Sequence, residues 1–229
     1  EADELGLDFR LHTVNYDVHY LKSTDSDWQY AAGISGMWQY SENLGEEYLI
    51  PSYRLFDVGA FASLTRQFDR LTLSGGLRYD IRRLHSYEQE DDGELRFTDF
   101  TRNFSGLTGS VGAIYNITPR LNMRLNLSKG FRAPNLSELG SNGEHEGTFR
   151  YELGNSQLSP EHSWQLDLGI DYSSEIFSTQ LSLFANHISN YIFLERLLSR
   201  TQDNLYQYRQ GTARLLGFEA MVDIHPVEV

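Results

Sequence analysis

Residues Trp28 to Tyr40 alternate without a break. Trp28, Tyr30, Ala32, Ile34, Gly36, Trp38 and Tyr40 fall on one side; Gln29, Ala31, Gly33, Ser35, Met37 and Gln39 fall on the other. Successive side chains of an extended strand point to opposite faces, so this stretch is one long β-strand with an aromatic and aliphatic face. Trp28 and Trp38 are ten residues apart, or about 33 Å at about 3.3 Å per residue. In a strand tilted by about 40° that length projects onto about 25 Å, the height of the apolar band of a transmembrane barrel. The two tryptophans would then stand at the two membrane interfaces, where Trp and Tyr are enriched.

The same period recurs along the chain. Phe56, Val58, Ala60, Ala62 and Leu64 form one row, and Leu71, Leu73, Gly75, Leu77, Tyr79 and Ile81 another. Leu107 to Ile117, Leu121 to Lys129, Trp164 to Tyr172 and Phe177 to Ala185 repeat the pattern. A first strand spans about Leu5 to Leu21, with a change of phase near Thr13-Val14 that predicts a β-bulge. A last strand runs from about Tyr208 to Ile224, giving about nine strands. Short connections (Ser23–Asp27, Asp69-Arg70, Thr118–Arg120, Ser173–Glu175) take turns with long ones (Ser41–Tyr53, Ser86–Asn103, Ala133–His162, Ile192–Gln207). An all-β, antiparallel, up-and-down transmembrane barrel segment has tight turns on one side of the membrane and long loops on the other. The whole of 1–229 reads as part of one such barrel domain.

A soluble antiparallel sheet with one buried face also alternates. Strand length, the alternation of loop lengths and the spacing of the aromatics favour the membrane barrel, since strands of soluble proteins average about 5–6 residues. The 14 Tyr, 13 Phe and 3 Trp supply interfacial girdles. No run of about 18 apolar residues is present, so no transmembrane helix is expected. Cysteine is absent, which excludes disulfides and thiolate metal sites. The net charge of −13 argues against nucleic-acid binding, which needs a basic footprint. With no leader sequence at Glu1 and no terminal aromatic at Val229, the chain reads as a fragment.

No glycine-rich phosphate loop, His-Glu-x-x-His or Gly-x-Ser-x-Gly occurs, so no catalytic residues are expected and no cofactor is specified. One cluster could bind a divalent metal ion. In Ser141-Asn142-Gly143-Glu144-His145-Glu146-Gly147 an imidazole is flanked by two carboxylates between glycines, a nitrogen and oxygen donor set that suits Zn²⁺ and related ions. The default reading of the same residues is a solvated turn held by Gly143 and Gly147. His85 and His162, near the long-loop ends of their strands, are weaker candidate ligands. Loop Ser86–Asn103 adds Glu88, Glu90, Asp91, Asp92, Glu94 and Asp99 against Arg96 and Arg102, so the long-loop side would attract cations and repel anions.

Two motifs carry a resemblance. Lys129-Gly130-Phe131-Arg132-Ala133-Pro134, with Leu136 and Glu138-Leu139, closes one strand; Gly154-Asn155, Leu158 and Pro160-Glu161 open the next. This segment resembles the mid-barrel region of TonB-dependent outer-membrane receptors. Ser141-Asn142-Gly143, His145 and Gly147-Thr148, followed by Tyr151-Glu152 and Gly154-Asn155, resembles a subgroup linked with zinc or other metal uptake.

The resemblance implies a barrel of about 22 strands, of which this chain would be the wall and four extracellular loops. It implies uptake of a nutrient, a metal ion or metal chelate of the zinc, siderophore or haem class, in the outer membrane of a Gram-negative bacterium. Its partners would be outer-membrane lipid and, through a plug domain, the TonB energy-coupling complex. A structural or adhesive outer-membrane barrel without transport is the alternative. Gly130, Phe131, Arg132, Pro134, Glu138, Gly154, Asn155, Pro160 and Glu161 are expected to be architectural. Arg132 would pair with a carboxylate in the lumen, Phe131 would reach the outer aromatic girdle, and Pro134 would end its strand. A cut barrel leaves two open edges, so the isolated chain is expected to self-associate, curl closed or need detergent.

Overall fold

The computed structural model describes residues 8–24, 26–45, 48–145, 148–198 and 204–225. Nine long strands form the described wall: β1 (Phe9–Ser23), β2 (Trp28–Asn43), β3 (Tyr53–Gln67), β4 (Leu71–Ser86), β7 (Phe100–Thr118), β8 (Leu121–Arg132), β11 (Glu161–Ser173), β12 (Phe177–Arg196) and β13 (Leu205–Ile224). A hairpin, β5 (Gln89–Asp91) and β6 (Glu94–Phe97), rises from the loop after β4. The loop after β8 contains a short helix α1 (Leu136–Gly140) and strands β9 (Asn142–His145) and β10 (Arg150–Leu153). Every long strand pairs antiparallel with its neighbour in the order β1-β2-β3-β4-β7-β8-β11-β12-β13, an up-and-down wall of 12- to 20-residue strands. No described helix is long and apolar enough to cross a membrane.

Register separates the two faces. Ala32, Ala62, Leu77, Gly109, Lys129, Trp164 and His187 fall on one continuous row across the wall, in the same face as Ile34, Val111, Leu125 and Leu166. That apolar face is the outward, lipid-facing one. The opposite face holds ion pairs of the inner wall: Arg82 with Asp57 (2.6 Å), Arg78 with Asp80 (2.7 Å) and Arg124 with Asp171 (2.6 Å). The alternation therefore puts charge inside and hydrocarbon outside, the reverse of a soluble sandwich.

β1 holds a correction. Its pairing with β2 runs unbroken from Phe9↔Asn43 to Ser23↔Gln29, so no bulge occurs at Thr13-Val14. The even-numbered residues of β1 stay on the outward face throughout. Tyr16 lies across Gly36, where any side chain would collide with its ring, and its hydroxyl donates to the Asp57 carbonyl on the next strand at 2.5 Å. Leu5, the expected start of the strand, lies outside the described residues. Register breaks fall instead between Asn116 and Thr118 of β7 and between Ile188 and Tyr191 of β12. At the second, Asn190 takes the left-handed conformation (φ 57°) that a bulge position requires.

The buried core is small and lies at the long-loop end of the inner face. Leu55, Leu84 and Phe104 project from β3, β4 and β7, and Ala133, Leu136, Leu139 and Leu158 of the loop after β8 pack onto them with Ile192. That loop is folded inward. Its strand β10 pairs in parallel with the start of β13 (Tyr151↔Leu205), while Asn142 of β9 donates to the Leu49 carbonyl before β3 at 3.0 Å. It forms a chord from β13, the last strand of the wall, to the loop between β2 and β3.

Candidate functional site

The chord is held by one polar knot. Arg132, the last residue of β8, reaches Glu161, the first residue of β11, through Nε (2.8 Å) and Nη2 (2.7 Å). Its Nη1 donates to Glu138 at 2.9 Å. Glu138 also accepts from the Asn135 backbone N–H, and its own N–H donates to the Asn135 side chain, both at 2.9 Å. This reciprocal capping box starts α1 immediately after Pro134, which cannot extend the strand. The second motif docks on the other end of the helix: the Gly154 N–H donates to Ser141 O (2.7 Å) and the Asn155 N–H to Glu138 O (2.8 Å). Gly154 sits so close to the backbone of Gly140 and Ser141 that a Cβ would stand about 2.6 Å from it. Pro160 accepts from Asn190 at 3.2 Å. The two sequence motifs, 15 residues apart at their nearest ends (Leu139 and Gly154), are thus one structural unit.

Knotting fixes the hairpin β9–β10, which carries the candidate site. Glu152 is buried, at 4 % exposure, yet its carboxylate has two neighbours. Tyr208 donates to Oε2 at 3.1 Å, and His145 Nδ1 stands 3.5 Å from Oε1. Tyr208 lies six residues before Arg214, which shares the outward row with Lys129 and Trp164, so it belongs to the extension of β13 above the membrane band. Burial, with the Glu152 carboxylate beside it, pushes the Tyr208 hydroxyl up to about 12. It therefore stays a donor at neutral pH. Arg150 packs over the Tyr206 ring at 5.7 Å, with its buried Nε lacking a hydrogen-bond partner. The arrangement offers one imidazole and one held carboxylate from adjacent strands.

The sequence candidates are placed apart. By strand alternation Glu144 points to the opposite side of the hairpin from His145, and Glu146 lies outside the described residues. His85 is on β4, its Nδ1 2.8 Å from Thr101 and its ring edge-on to Tyr87. His162 lies beside Phe131 at 5.8 Å, with Nδ1 buried and unpartnered. Among the described residues no three His, Asp or Glu side chains form a metal-holding group. Phe131 is not in the outer girdle. Pairing of β7 with β8 stops at Gly109↔Lys129, and above it the Phe131 ring occupies the space left by the missing side chain of Gly106, against the buried cluster. Gly130 leaves similar room for Ser163.

Glu152 and Tyr208 were the functional candidates that sequence reasoning missed. Tyr208 is 56 residues from Glu152, and only the parallel pairing of β10 with β13 brings them together. In loop Ser86–Asn103, Asp92-Gly93 takes positive φ at both positions (51° and 80°), a tight hairpin turn. Arg96 pairs with Asp91 and donates to Asn142 O at 2.9 Å, tying this hairpin to β9. Glu88, Glu90, Asp92, Glu94 and Asp99 take part in no ion pair among the described residues, so the mouth carries uncompensated negative charge.

A family model described as "TonB dependent receptor-like, beta-barrel" matches residues 2–225. Solved structures share the fold. A copper transporter, OprC, superposes with a TM-score of 0.77 at 19% identity, over 96% of this chain and 36% of its own. The Serratia marcescens hemophore receptor HasR, solved as a double mutant with its hemophore HasA and heme, gives 0.73 at 19% identity, over 95% and 40%. The apoprotein form of the FrpB iron transporter from Neisseria meningitidis gives 0.69 at 18%, over 96% and 35%. The chain thus spans well under half the length of these neighbours.

Proposed function

The chain belongs to the TonB-dependent receptor family, as part of its β-barrel, and from that premise we propose that the protein carrying it is an outer-membrane receptor for TonB-driven uptake of a metal complex. In this reading it is a transporter and no enzyme. The segment supplies barrel wall and ligand-gathering loops, and a plug domain supplies the coupling to TonB. The solved neighbours are a hemophore receptor holding heme, a copper transporter and an iron transporter, whose cargoes share a metal and differ in everything around it.

One observation carries the choice of cargo. His145 and the buried Glu152 are held together, 3.5 Å apart, on a chord drawn across the acidic mouth. Two donors are half of a tetrahedral set. A metal that arrives with ligands of its own needs only such a partial site, whereas a bare ion needs further donors from elsewhere in the receptor. His145 and Glu152 replace the contiguous Glu144-His145-Glu146 trio as the proposed contact. The negative charge of the β5–β6 loop raises the local concentration of cationic cargo.

Calorimetry on the receptor in detergent micelles, titrated with Zn²⁺, Cu²⁺, Ni²⁺ and ferric citrate, tests the site. Saturable binding of at least one probe, weakened tenfold or more in both His145→Ala and Glu152→Gln, is expected. Binding unchanged in both variants removes this pair from cargo recognition.

A further inference from the structure

The outward face of the wall carries a second cluster of charged side chains. In the paired rows of the nine long strands, outward positions carry no Asp or Glu apart from Glu42 and, above the register break of β12, Glu195, which pairs with Arg209. Asp57, Asp80, Asp167, Asp171 and Glu219 all point inward. Yet the chain has 32 acidic and 19 basic residues. Apart from Lys22 and Arg66 at the short-turn end, the bases on that face stand toward the long loops, among them Arg54, Arg83, His85, Lys129, His187 and Arg214.

Three of them converge. Arg54 lies directly across from His85, and Arg83 lies across from Phe56, so the two arginines are diagonal neighbours on adjacent strands. With Trp38, Phe56 and Thr101 they line a cavity of about 470 Å³. Arg54 and Arg83 are exposed and have no carboxylate partner among the described residues. Glu42, the one acid in reach, is engaged by Arg10 at 3.9 Å and Tyr40 at 3.4 Å. Like charges placed this closely repel, and a planar guanidinium fork is suited to bidentate contact with phosphate.

We propose that Arg54, Arg83 and His85 form a binding site for the phosphate of a membrane-lipid headgroup in the outer leaflet. The occupant is a lipid and not a soluble anion for two reasons. Below the cations the cavity floor is Trp38 and Phe56, and the surface continues downward through Ile34, Ala60, Tyr79 and Leu107, where acyl chains would lie. Above them the acidic loops repel anions approaching from solution, while a lipid arrives laterally. The row Lys129, His187 and Arg214 around Trp164 extends the same rim across the wall. This placement rests on the outer-membrane reading above.

Native mass spectrometry of the full receptor in detergent micelles tests it, with three probes: diphosphoryl lipid A, the same lipid enzymatically dephosphorylated, and inorganic phosphate. The wild type should retain the diphosphoryl lipid at a tenfold lower concentration than the dephosphorylated one. Arg54→Gln/Arg83→Gln should abolish that preference, and millimolar phosphate should not displace the lipid. Equal retention of both lipids by the wild type overturns the proposal without recourse to any variant. A folded double variant that keeps the preference, or displacement of the lipid by free phosphate, also overturns it. Membrane fractionation of the wild type reports separately on the reading beneath it: a protein found in the outer membrane that makes no distinction between the lipids leaves that reading intact.

Discussion

Arg132 grips Glu161 by two parallel bonds, Nε to Oε2 at 2.8 Å and Nη2 to Oε1 at 2.7 Å, across the point where β8 ends and β11 begins. The same Glu161 oxygen accepts the Ile192 N–H of β12 at 2.7 Å, and the third arginine nitrogen holds Glu138. One guanidinium thus joins two strands and a helix, and through Glu161 a third strand. Arg132→Gln should lower the unfolding free energy by about 2 kcal/mol, the scale of a charged hydrogen-bond pair whose arginine is partly exposed. Arg132→Lys should recover less than half of that, because an ammonium cannot bond in the bidentate geometry. Urea midpoints of the detergent-folded protein measure both; a lysine variant equal to wild type would show that only charge matters.

Gly154 is the second fixed point of the knot. Its Cα lies against the backbone of Gly140 and Ser141, and a methyl group there would meet peptide atoms that cannot rotate away. Gly154→Ala is expected to cost about 1–3 kcal/mol, the range for overpacking. The chord should then loosen ahead of the wall. Limited proteolysis should cut between Leu139 and Leu153 in the variant, while the long strands remain protected.

The wall was legible because a two-residue period over strands of this length admits few alternatives. Trp28 and Trp38, Leu71 to Ile81 and Leu121 to Lys129 declare their faces directly. The order of short and long connections then gave the pairing. The chord was not legible in the same way. Nothing local to Glu152 indicates that it meets Tyr208, since that contact depends on a parallel pairing between a four-residue loop strand and the top of β13. Phe131 misled for a related reason: alternation points it outward, but the end of β7–β8 pairing and the bare Cα of Gly106 offer it a buried place.

The continuous register of β1 yields a discriminating test at the position where apolar residues change phase. Thr13 pairs with Gln39, whose amide donates to the threonine hydroxyl at 3.1 Å. A cysteine pair at Thr13→Cys and Gln39→Cys should oxidise readily, because opposed residues bring their Cβ atoms to about 4.5–5.5 Å. The pair Val14→Cys and Gln39→Cys should not, since these residues are on opposite faces. Non-reducing gels after mild oxidation, followed by cleavage between the strands, read the outcome. Crosslinking of the second pair in preference to the first would restore the bulge.

Tyr208 gives a pH signature to the candidate site. Burial, and after it the neighbouring Glu152 carboxylate, raises its hydroxyl from an ordinary 10 to about 12. Folding therefore favours the protonated phenol. The native state holds a proton that the unfolded chain releases, so this group's contribution is fully present below about pH 10 and falls as pH rises toward 12. Urea midpoints measured from pH 8 to 12 should decline more steeply in the wild type than in Tyr208→Phe above pH 10, with parallel curves below it. Glu152→Gln should bring the Tyr208 hydroxyl back toward its ordinary value, because the carboxylate that helps to keep the phenol protonated is gone, and the decline above pH 10 should be shallower than in the wild type. A decline in Glu152→Gln that stays at the wild-type position would mean that burial alone sets the Tyr208 proton, and that Glu152 is free to serve a bound metal complex.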